Sequence, residues 1–278
     1  MARHNYKSDQ RKSTPRPSSL RPNRPDDSVV YGHHAVKSVL AARPSVIQAI
    51  YLRRQKDIMQ QDVGSDRGDF RSLLNDHAGF QGELKEVDLK ALDALCNGQN
   101  HQGVAAIIEP YQMVAYSDLL SVPKPLILAC DQVQDPHNLG AIFRSAAVFG
   151  TTGLVLSKDK SVAVNPTVHK VSSGATWHVP AATVVNMSRA LAKAKDKGLW
   201  IIGSVESGGC QPAKAPFAES TMLIVGNEER GMRPLLQKHC DVLVTIPAFN
   251  PAFPALNVAS ATSVLLYEAA CQRRANSS

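Results

Sequence analysis

The segment 135–150, DPHNLGAIFRSAAVFG, combines an amide side chain, a glycine and a guanidinium group at the start of a helical pattern. It opens with turn residues, after which Asn138 is expected to cap the helix and Gly140 to allow close approach of a backbone. Arg144 lies in the early turns, where an arginine can bind a phosphate or a ribose. Taken alone, the segment fits a capped helix with a solvated arginine better than a binding site.

Two later loops carry polar residues directly after apolar runs. Gly226 ends one run and begins GNEERG, in which a ligand has room against the backbone and Glu228 can accept hydrogen bonds. The third loop, 248–256, is stiffened by neighbouring prolines at 247, 251 and 254 and leads to Asn257, where a helix is expected to begin. Each loop alone is equally compatible with an ordinary polar turn.

Five short apolar runs are expected to be the strands that position these loops. They are rich in Leu and β-branched residues without alternation, which is typical of strands buried on both faces of a parallel sheet. The runs span 125–131, 152–157, 199–205, 221–226 and 241–247, and helical patterns span 139–149, 187–197, 233–239 and 257–272. Ligands bind at the carboxyl ends of such strands, so the three loops are expected at one edge of the sheet.

The N-terminal half has a different organisation. Residues 1–28 form a tail rich in Pro, Ser and Arg that is expected to be disordered, since it has almost nothing to bury. Residues 29–109 are expected to form a small α/β domain, followed by a linker over 110–124 and a layered α/β domain over 125–278. The small domain's expected helices span 31–42, 70–78 and 89–98, and its expected strands span 47–54, 82–88 and 101–109.

Charge and composition narrow the function classes. The formal net charge is +7, and the tail holds seven basic and three acidic residues in its first 27 positions. Such an arm suits a nucleic-acid phosphate backbone, although a purely solubilising role fits the charge equally well. The five cysteines have no C-x-x-C spacing and no H-E-x-x-H occurs, so we expect no metal and idle thiols in a reducing cytoplasm. No apolar run approaches the ~20 residues of a membrane span.

Taken together, the three loops resemble the SpoU branch of the SPOUT methyltransferases. The resemblance lies in the order and spacing of N-x-G-x-x-x-R, then G-x-E-x-x-G, then I-P with L-N-V before a C-terminal helix. It covers 126–274 strongly. The sequences YGHHAV and NHQGVAA extend it to Val30, because they are similar to the substrate-binding domain of members that methylate a guanosine ribose in large-subunit ribosomal RNA.

The resemblance implies a fold and a cofactor. The fold would be a SPOUT α/β trefoil-knot domain with a parallel sheet, plus a small N-terminal α/β domain that is L30e-like. The cofactor would be S-adenosylmethionine, bound against the backbone around Gly226, Ile246 and Leu256. Family members pair through their knotted domains, so the protein is expected to be a homodimer whose Arg144 lies near the partner's cofactor.

The implied reaction is methyl transfer to a ribose 2′-oxygen of RNA. The implied active-site residues are Arg144, Asn138, Glu228 and Asn257. A 2′-hydroxyl is a poor nucleophile, and the family assigns removal of its proton to the motif-one arginine. Because free arginine has a pKa above ~12, Arg144 could instead grip an RNA phosphate and orient the hydroxyl. The sequence leaves both roles open.

The third motif departs from the family pattern S-L-N-V-S. Both serine positions are alanine, Ala255 and Ala259, and Ser260 is one residue late, which turns it by ~100° around a helix. This departure keeps a second hypothesis open, an RNA-binding ribosome-assembly protein with a weakened or lost methyltransferase site. A transfer RNA substrate is a further alternative. A nicotinamide-dependent enzyme is excluded because no G-x-G-x-x-G follows a strand and opens a helix.

Overall fold

The computed structural model describes residues 29–54, 79–250, 252 and 255–276. The expected basic tail, the helix expected at 70–78 and the prolines at 251 and 254 lie outside these ranges. Within these ranges, no helix is long and apolar enough to cross a membrane.

The larger part of the chain is built on a six-stranded sheet in which all neighbouring strands are parallel. The strand order is β10-β8-β9-β5-β6-β7. Four central or near-central strands are buried almost throughout, as expected for a sheet covered on both faces. The strands are β5 (Leu126–Cys130), β6 (Gly153–Ser157), β7 (Ala181–Val184), β8 (Trp200–Ser204), β9 (Thr221–Val225) and β10 (Val242–Val244).

The N-terminal part has a four-stranded mixed sheet of order β1-β4-β2-β3. Its middle strands pair antiparallel and β2 pairs with β3 in parallel. The strands are β1 (Val29–Tyr31), β2 (Ile47–Arg53), β3 (Glu83–Val87) and β4 (Val104–Ile108), and the helices beside them are α1 (His33–Ala42) and α2 (Leu89–Leu95). This arrangement matches the small α/β pattern expected there.

Helices cover the larger sheet, and the first of them carries the leading motif. They are α3 (Tyr116–Leu120), α4 (Pro136–Val148), α5 (Pro166–Val171), α6 (Met187–Asp196), α7 (Pro234–Gln237) and α8 (Val258–Ala275). Helix α4 begins three residues earlier than expected, because Asp135 accepts a hydrogen bond from the backbone N–H of His137 and Pro136 occupies the first turn. The predicted capping role of Asn138 is therefore wrong: Asn138 lies inside the first turn of the helix.

Four elements were not expected from the sequence. Strand β1 ends at Tyr31, which was expected to begin the first helix. Strand β7, with the sequence AATV, has too little apolar character to stand out. Helix α5 is only six residues long and begins at an Asn-Pro pair. Helix α3 lies within the stretch expected as a linker, and its Leu119 and Leu120 are buried against the larger sheet because their apolar side chains complete that core.

The two sheets meet around a cluster of aromatic rings. Trp177 packs into the core of the N-terminal sheet, and Tyr111 packs against the cores of both sheets. The rings of His169 and Trp177 are stacked with centroids 4.9 Å apart. Lys170 donates a hydrogen bond to the carbonyl of Asn100, so polar as well as apolar contacts join the two parts.

Candidate active site

A pocket of about 890 Å³ lies at the carboxyl ends of β8, β9 and β10. The three residues expected to hold the cofactor, Gly226, Ile246 and Leu256, all line it. The second and third polar loops thus meet at one edge of the sheet, as the strand pattern predicted.

A chain of hydrogen bonds joins all three loops beside this pocket. The Asn257 amide Nδ2 donates to Asn138 Oδ1 at 2.9 Å, and Asn138 Nδ2 donates to Glu228 Oε1 at 3.1 Å. Asn138 is only 9% exposed, so its amide is held in a defined orientation. The structure therefore brings together three of the four residues expected in the active site.

Glu228 joins the second loop, which follows β9, to the first loop, which lies between β5 and α4. Its carboxylate accepts hydrogen bonds from the backbone N–H groups of Gln134 and Asp135, both at 3.2 Å, and from Asn227 Nδ2 at 3.1 Å. Together with Asn138, four donors surround the two carboxylate oxygens. Four N–H donors from two segments converge on this one carboxylate, so it is suited to holding the loops in place.

Asn257 has a second task, because it caps helix α8. Its Oδ1 accepts from the backbone N–H of Ala259 at 2.8 Å and of Ser260 at 3.4 Å. The two alanines of the third motif lie on either side: Ala255 lines the pocket, while Ala259 is buried in the core. Because backbone N–H groups hold the Asn257 side chain, its orientation does not require a serine hydroxyl at position 255 or 259.

Arg144 is not joined to this network within one chain. Its side chain is exposed, and Nη1 donates to Ser173 Oγ at 3.3 Å. Six residues separate Arg144 from Asn138, which places the two on different faces of α4. The structure thus separates the expected arginine from the three residues that it brings together.

Gly140 allows the close approach of a neighbouring segment that was expected of it, whereas Gly226 has a task besides the expected one. A Cβ on Gly226 would lie 2.2 Å from the carbonyl carbon of Gly231, so this glycine lets its own loop close. A Cβ on Gly140 would lie 2.6 Å from Val171 Cβ, so that glycine brings α4 against α5. Both close approaches are within the protein, although Gly226 still forms part of the pocket wall.

The sequence reasoning missed three residues of this edge. Asp131, directly after β5, is fully buried and forms a bidentate ion pair with Arg233. Asn227 donates both to Glu228 and, at 2.9 Å, to the carbonyl of Gln132. An acidic residue that ends an entirely apolar strand is the signal that could have identified Asp131.

Comparison with known proteins places this geometry in a class, the RNA methyltransferases with a separate substrate-binding domain. Residues 125–267 match the SpoU rRNA methylase family, and residues 29–114 match the RNA 2′-O ribose methyltransferase substrate-binding family. The chain belongs to the SpoU rRNA methylase family. The predicted family and enzyme class are thereby confirmed.

Curated relatives cover nearly all of the chain. A 23S rRNA (guanosine-2′-O-)-methyltransferase RlmB of Vibrio cholerae is 34% identical over 255 residues, which are 90% of this chain and 99% of that protein. An uncharacterized tRNA/rRNA methyltransferase of Synechocystis is 36% identical over 250 residues, which are 88% of this chain and 62% of that protein.

Solved structures confirm the fold class. The SpoU methyltransferase AviRb of Streptomyces viridochromogenes is 22% identical and superposes with a TM-score of 0.73, covering 90% of this chain and 91% of that chain. A second structure of that protein, in complex with AdoMet, has a TM-score of 0.71. The expected α/β domain with a parallel sheet, beside a small N-terminal α/β domain, is observed, and it shares its fold with these SpoU methyltransferases.

The pocket fits the family's cofactor, S-adenosylmethionine. Its volume lies within the range of ~300–1,000 Å³ that is usual for small-molecule sites. Apolar side chains from the strand ends and the third loop, including Val225, Ile246 and Leu256, offer a surface for an adenine ring, and the glycine-containing turn offers backbone groups. The predicted cofactor is confirmed at the level of the family.

Proposed function

We propose that this protein methylates the ribose 2′-oxygen of a guanosine in large-subunit ribosomal RNA. The observation that carries the proposal is the hydrogen-bonded chain from Asn257 through Asn138 to Glu228, placed beside a cofactor-sized pocket. The Vibrio cholerae relative, a 23S rRNA (guanosine-2′-O-)-methyltransferase that matches along almost its whole length, supports the choice of nucleotide.

The chain's own residues supply positioning in this proposal. S-adenosylmethionine, when bound, supplies a methyl group on a positively charged sulfur. Glu228 and Asn257 hold the pocket loops at fixed positions, and the remaining amide hydrogens of Asn138 and Asn257 are available to orient a ribose. Such fixed dipoles lower the barrier because they need not reorganise during the reaction.

Arg144 is assigned the role of a phosphate clamp. A guanidinium keeps its proton in proteins, and the contact of Arg144 within its own chain is with a neutral hydroxyl. A charged, planar donor of this kind suits an RNA phosphate. The clamp would bring the 2′-hydroxyl into line and leave its proton to be taken up by solvent or by the RNA itself.

A homodimer, with residues from both copies at each site, explains why Arg144 stands apart. Helices α4 and α8 leave apolar side chains exposed next to one another: Val148 is 69%, Val264 42% and Tyr267 59% exposed. Burying such a patch favours self-association. We propose that the dimer acts in the cytoplasm on ribosomal RNA and that Arg144 of one copy serves the other copy's pocket.

Subunit complementation tests this arrangement. The variants Arg144→Ala and Asn138→Ala are each expected to be inactive, while co-expressed copies should form mixed dimers in which one site has both residues. Methyl transfer should then reappear in the purified mixed dimer. Mixed dimers as inactive as either parent would show that Arg144 serves its own chain.

The alanines at 255 and 259 support a second candidate, an RNA-binding protein with little activity. Ala255 lines the pocket, at a position where the family pattern has a serine hydroxyl. Such a protein would bind S-adenosylmethionine and ribosomal RNA but transfer no methyl group. The intact network of Asn138, Glu228 and Asn257 favours the active enzyme.

Transfer of a labelled methyl group separates the two candidates. Purified protein, S-adenosylmethionine with a tritiated methyl and ribosomal RNA should give labelled RNA, and Arg144→Ala should lower the rate at least about a hundredfold. Arg189→Ala, which removes an exposed arginine from α6, is the matched control and should retain full activity. Binding of both ligands without transfer by the wild type would favour the second candidate.

A further inference from the structure

Asp131 is a buried carboxylate outside the recognised motifs. It follows β5 directly, has no exposed surface, and its backbone N–H donates to the carbonyl of Val225 at the end of β9. An ionised side chain in such a position is strongly unfavourable without a partner. Its placement between the ends of two central strands therefore calls for a specific cation.

That cation is Arg233. It directly follows the pocket loop, the segment from Gly226 to Met232 that lines the pocket. Arg233 Nε donates to Asp131 Oδ2 at 2.8 Å and Nη2 donates to Oδ1 at 2.6 Å, a bidentate geometry. The carboxylate raises the pKa of Arg233 further above its ordinary value. Because the arginine side chain is 45% exposed while the carboxylate is fully buried, the pair reaches from the sheet to the surface.

The pocket loop between Gly226 and Arg233 is thus fastened at both ends to the segment after β5. At its start, Asn227 Nδ2 donates to the carbonyl of Gln132 at 2.9 Å. In its middle, the backbones of Asn227 and Gly231 exchange hydrogen bonds of 3.1 and 3.0 Å. At its end, Asp131 holds Arg233.

We propose that Asp131 and Arg233 are positioning residues that hold the loop from Gly226 to Met232 in the shape that binds S-adenosylmethionine. This inference rests on the proposed function, because it assigns the cofactor to that loop. Burying the Asp131 carboxylate costs free energy even with its partly exposed partner, so what the pair contributes is a fixed loop geometry. Neither residue needs to touch the cofactor.

Cofactor affinity measured by calorimetry tests the pair. Asp131→Asn keeps the shape of the side chain but removes its charge, and it should raise the Kd for S-adenosylmethionine by about tenfold. The KM for RNA should stay within about twofold, since the loop carries no assigned RNA contact. Arg233→Gln should act in the same way, and Arg233→Lys should recover part of the affinity because it restores the charge.

A second ion pair of the same sheet provides the control. Lys195 and Asp241 are 2.7 Å apart, and Asp241 also accepts from the backbone N–H of Ile201 at the opposite end of β8 from the pocket. Asp241→Asn should lower the unfolding midpoint without changing the Kd. Asp131→Asn and Arg233→Gln that bind S-adenosylmethionine as tightly as the wild type would overturn the proposal.

The proposed function and this inference fail in different ways. Methyl transfer by the wild type tests the function, whereas the ratio of variant to wild-type Kd tests the pair. If Asp131→Asn does not fold, Arg233→Lys and Arg233→Gln decide, because the arginine is partly exposed. Equal affinities for these two variants and the wild type would again contradict the role of the pair.

Discussion

At the scale of single residues, Glu228 links the three loops through its hydrogen bonds. Its two oxygens face only N–H donors, from Gln134, Asp135, Asn138 and Asn227. A glutamine here would replace one acceptor oxygen by an NH2 group, which would face the N–H donors of the neighbouring residues. The carboxylate therefore acts through its acceptor geometry, which joins the loops.

The variant Glu228→Gln tests this role. We expect it to lower the free energy of unfolding by about 1–2 kcal/mol and to reduce methyl transfer, because the first and second loops separate. Thermal denaturation and the labelled-methyl assay measure the two effects. Glu109→Gln, at an exposed position after β4, is the control. A fully active and equally stable Glu228→Gln protein would contradict the linking role.

Ala255 permits a second test at this scale. It lies at the pocket in an exposed stretch before the Asn257 cap, and a serine there adds only a hydroxyl. We expect Ala255→Ser to change the Kd for S-adenosylmethionine by no more than about twofold, as is usual for surface substitutions. Calorimetry measures it. A large change would show that the loop at 248–256 contacts the cofactor differently.

At the scale of elements, the turn after β9 depends on two backbone segments lying almost in contact. Any side chain at Gly226 overlaps the backbone of Gly231 and Met232, each 2.2 Å from a Cβ built there. The turn forms one wall of the pocket. A small steric change at this point is therefore expected to open the whole wall.

The variant Gly226→Ala should abolish measurable S-adenosylmethionine binding while most of the fold persists. The reason is that the overlap is with backbone, which cannot move aside as a flexible side chain would. Gly198→Ala, before β8 at the end away from the pocket, is the control: a Cβ there meets nothing within 4 Å, and its left-handed φ of 81° should cost stability without changing the Kd. Circular dichroism and calorimetry together make the measurement. Normal affinity in Gly226→Ala would mean that this turn is not part of the site.

The sequence predicted the long, apolar elements better than the short ones. All five apolar runs are strands, since burial on both faces leaves a clear pattern. Strand β7 and helix α5 were missed because four to six residues at the edge of the sheet carry little periodicity. The loop motifs predicted that Asn138, Glu228 and Asn257 lie close together. They did not predict which atoms bond, because these hydrogen bonds join residues about 90 to 120 positions apart in sequence.

The sequence could not show the pairing of Asp131 with Arg233 for the same reason. The two residues are separated by 102 positions, and each alone resembles an ordinary loop charge. The spacing of Arg144 and Asn138 on α4 already places them on different faces, but which face meets Glu228 and Asn257 depends on how α4 packs against α5 and α8.

At the scale of the whole molecule, the junction between the two sheets contains a buried histidine. His169 has no exposed surface, stacks on Trp177 and bonds through Nδ1 to Thr176 Oγ1 at 2.8 Å. Burial lowers its pKa to about 3. An unfolded histidine titrates near 6.5, so the unfolded chain binds the proton first and the native state loses stability as the pH falls from ~6.5 towards 3.

We therefore expect His169 to lower the free energy of unfolding by about 1.5 kcal/mol between pH 6.5 and pH 5. His169→Phe keeps an aromatic ring beside Trp177 but cannot titrate, so it should flatten this part of the pH dependence. Denaturant unfolding of both proteins across this range gives the difference. An unchanged slope would mean that His169 is already protonated, or exposed, in the native state.

The central claim is that a ribose 2′-oxygen of ribosomal RNA receives the methyl group. The most direct test is mass spectrometry of nucleosides from large-subunit RNA, isolated from a strain lacking this gene and treated with the purified protein and S-adenosylmethionine. We expect one new 2′-O-methylguanosine in this RNA, and no methyl uptake by RNA from the parent strain, which already carries the modification. A methyl group on a base, or none in RNA that the protein binds together with the cofactor, would contradict the account.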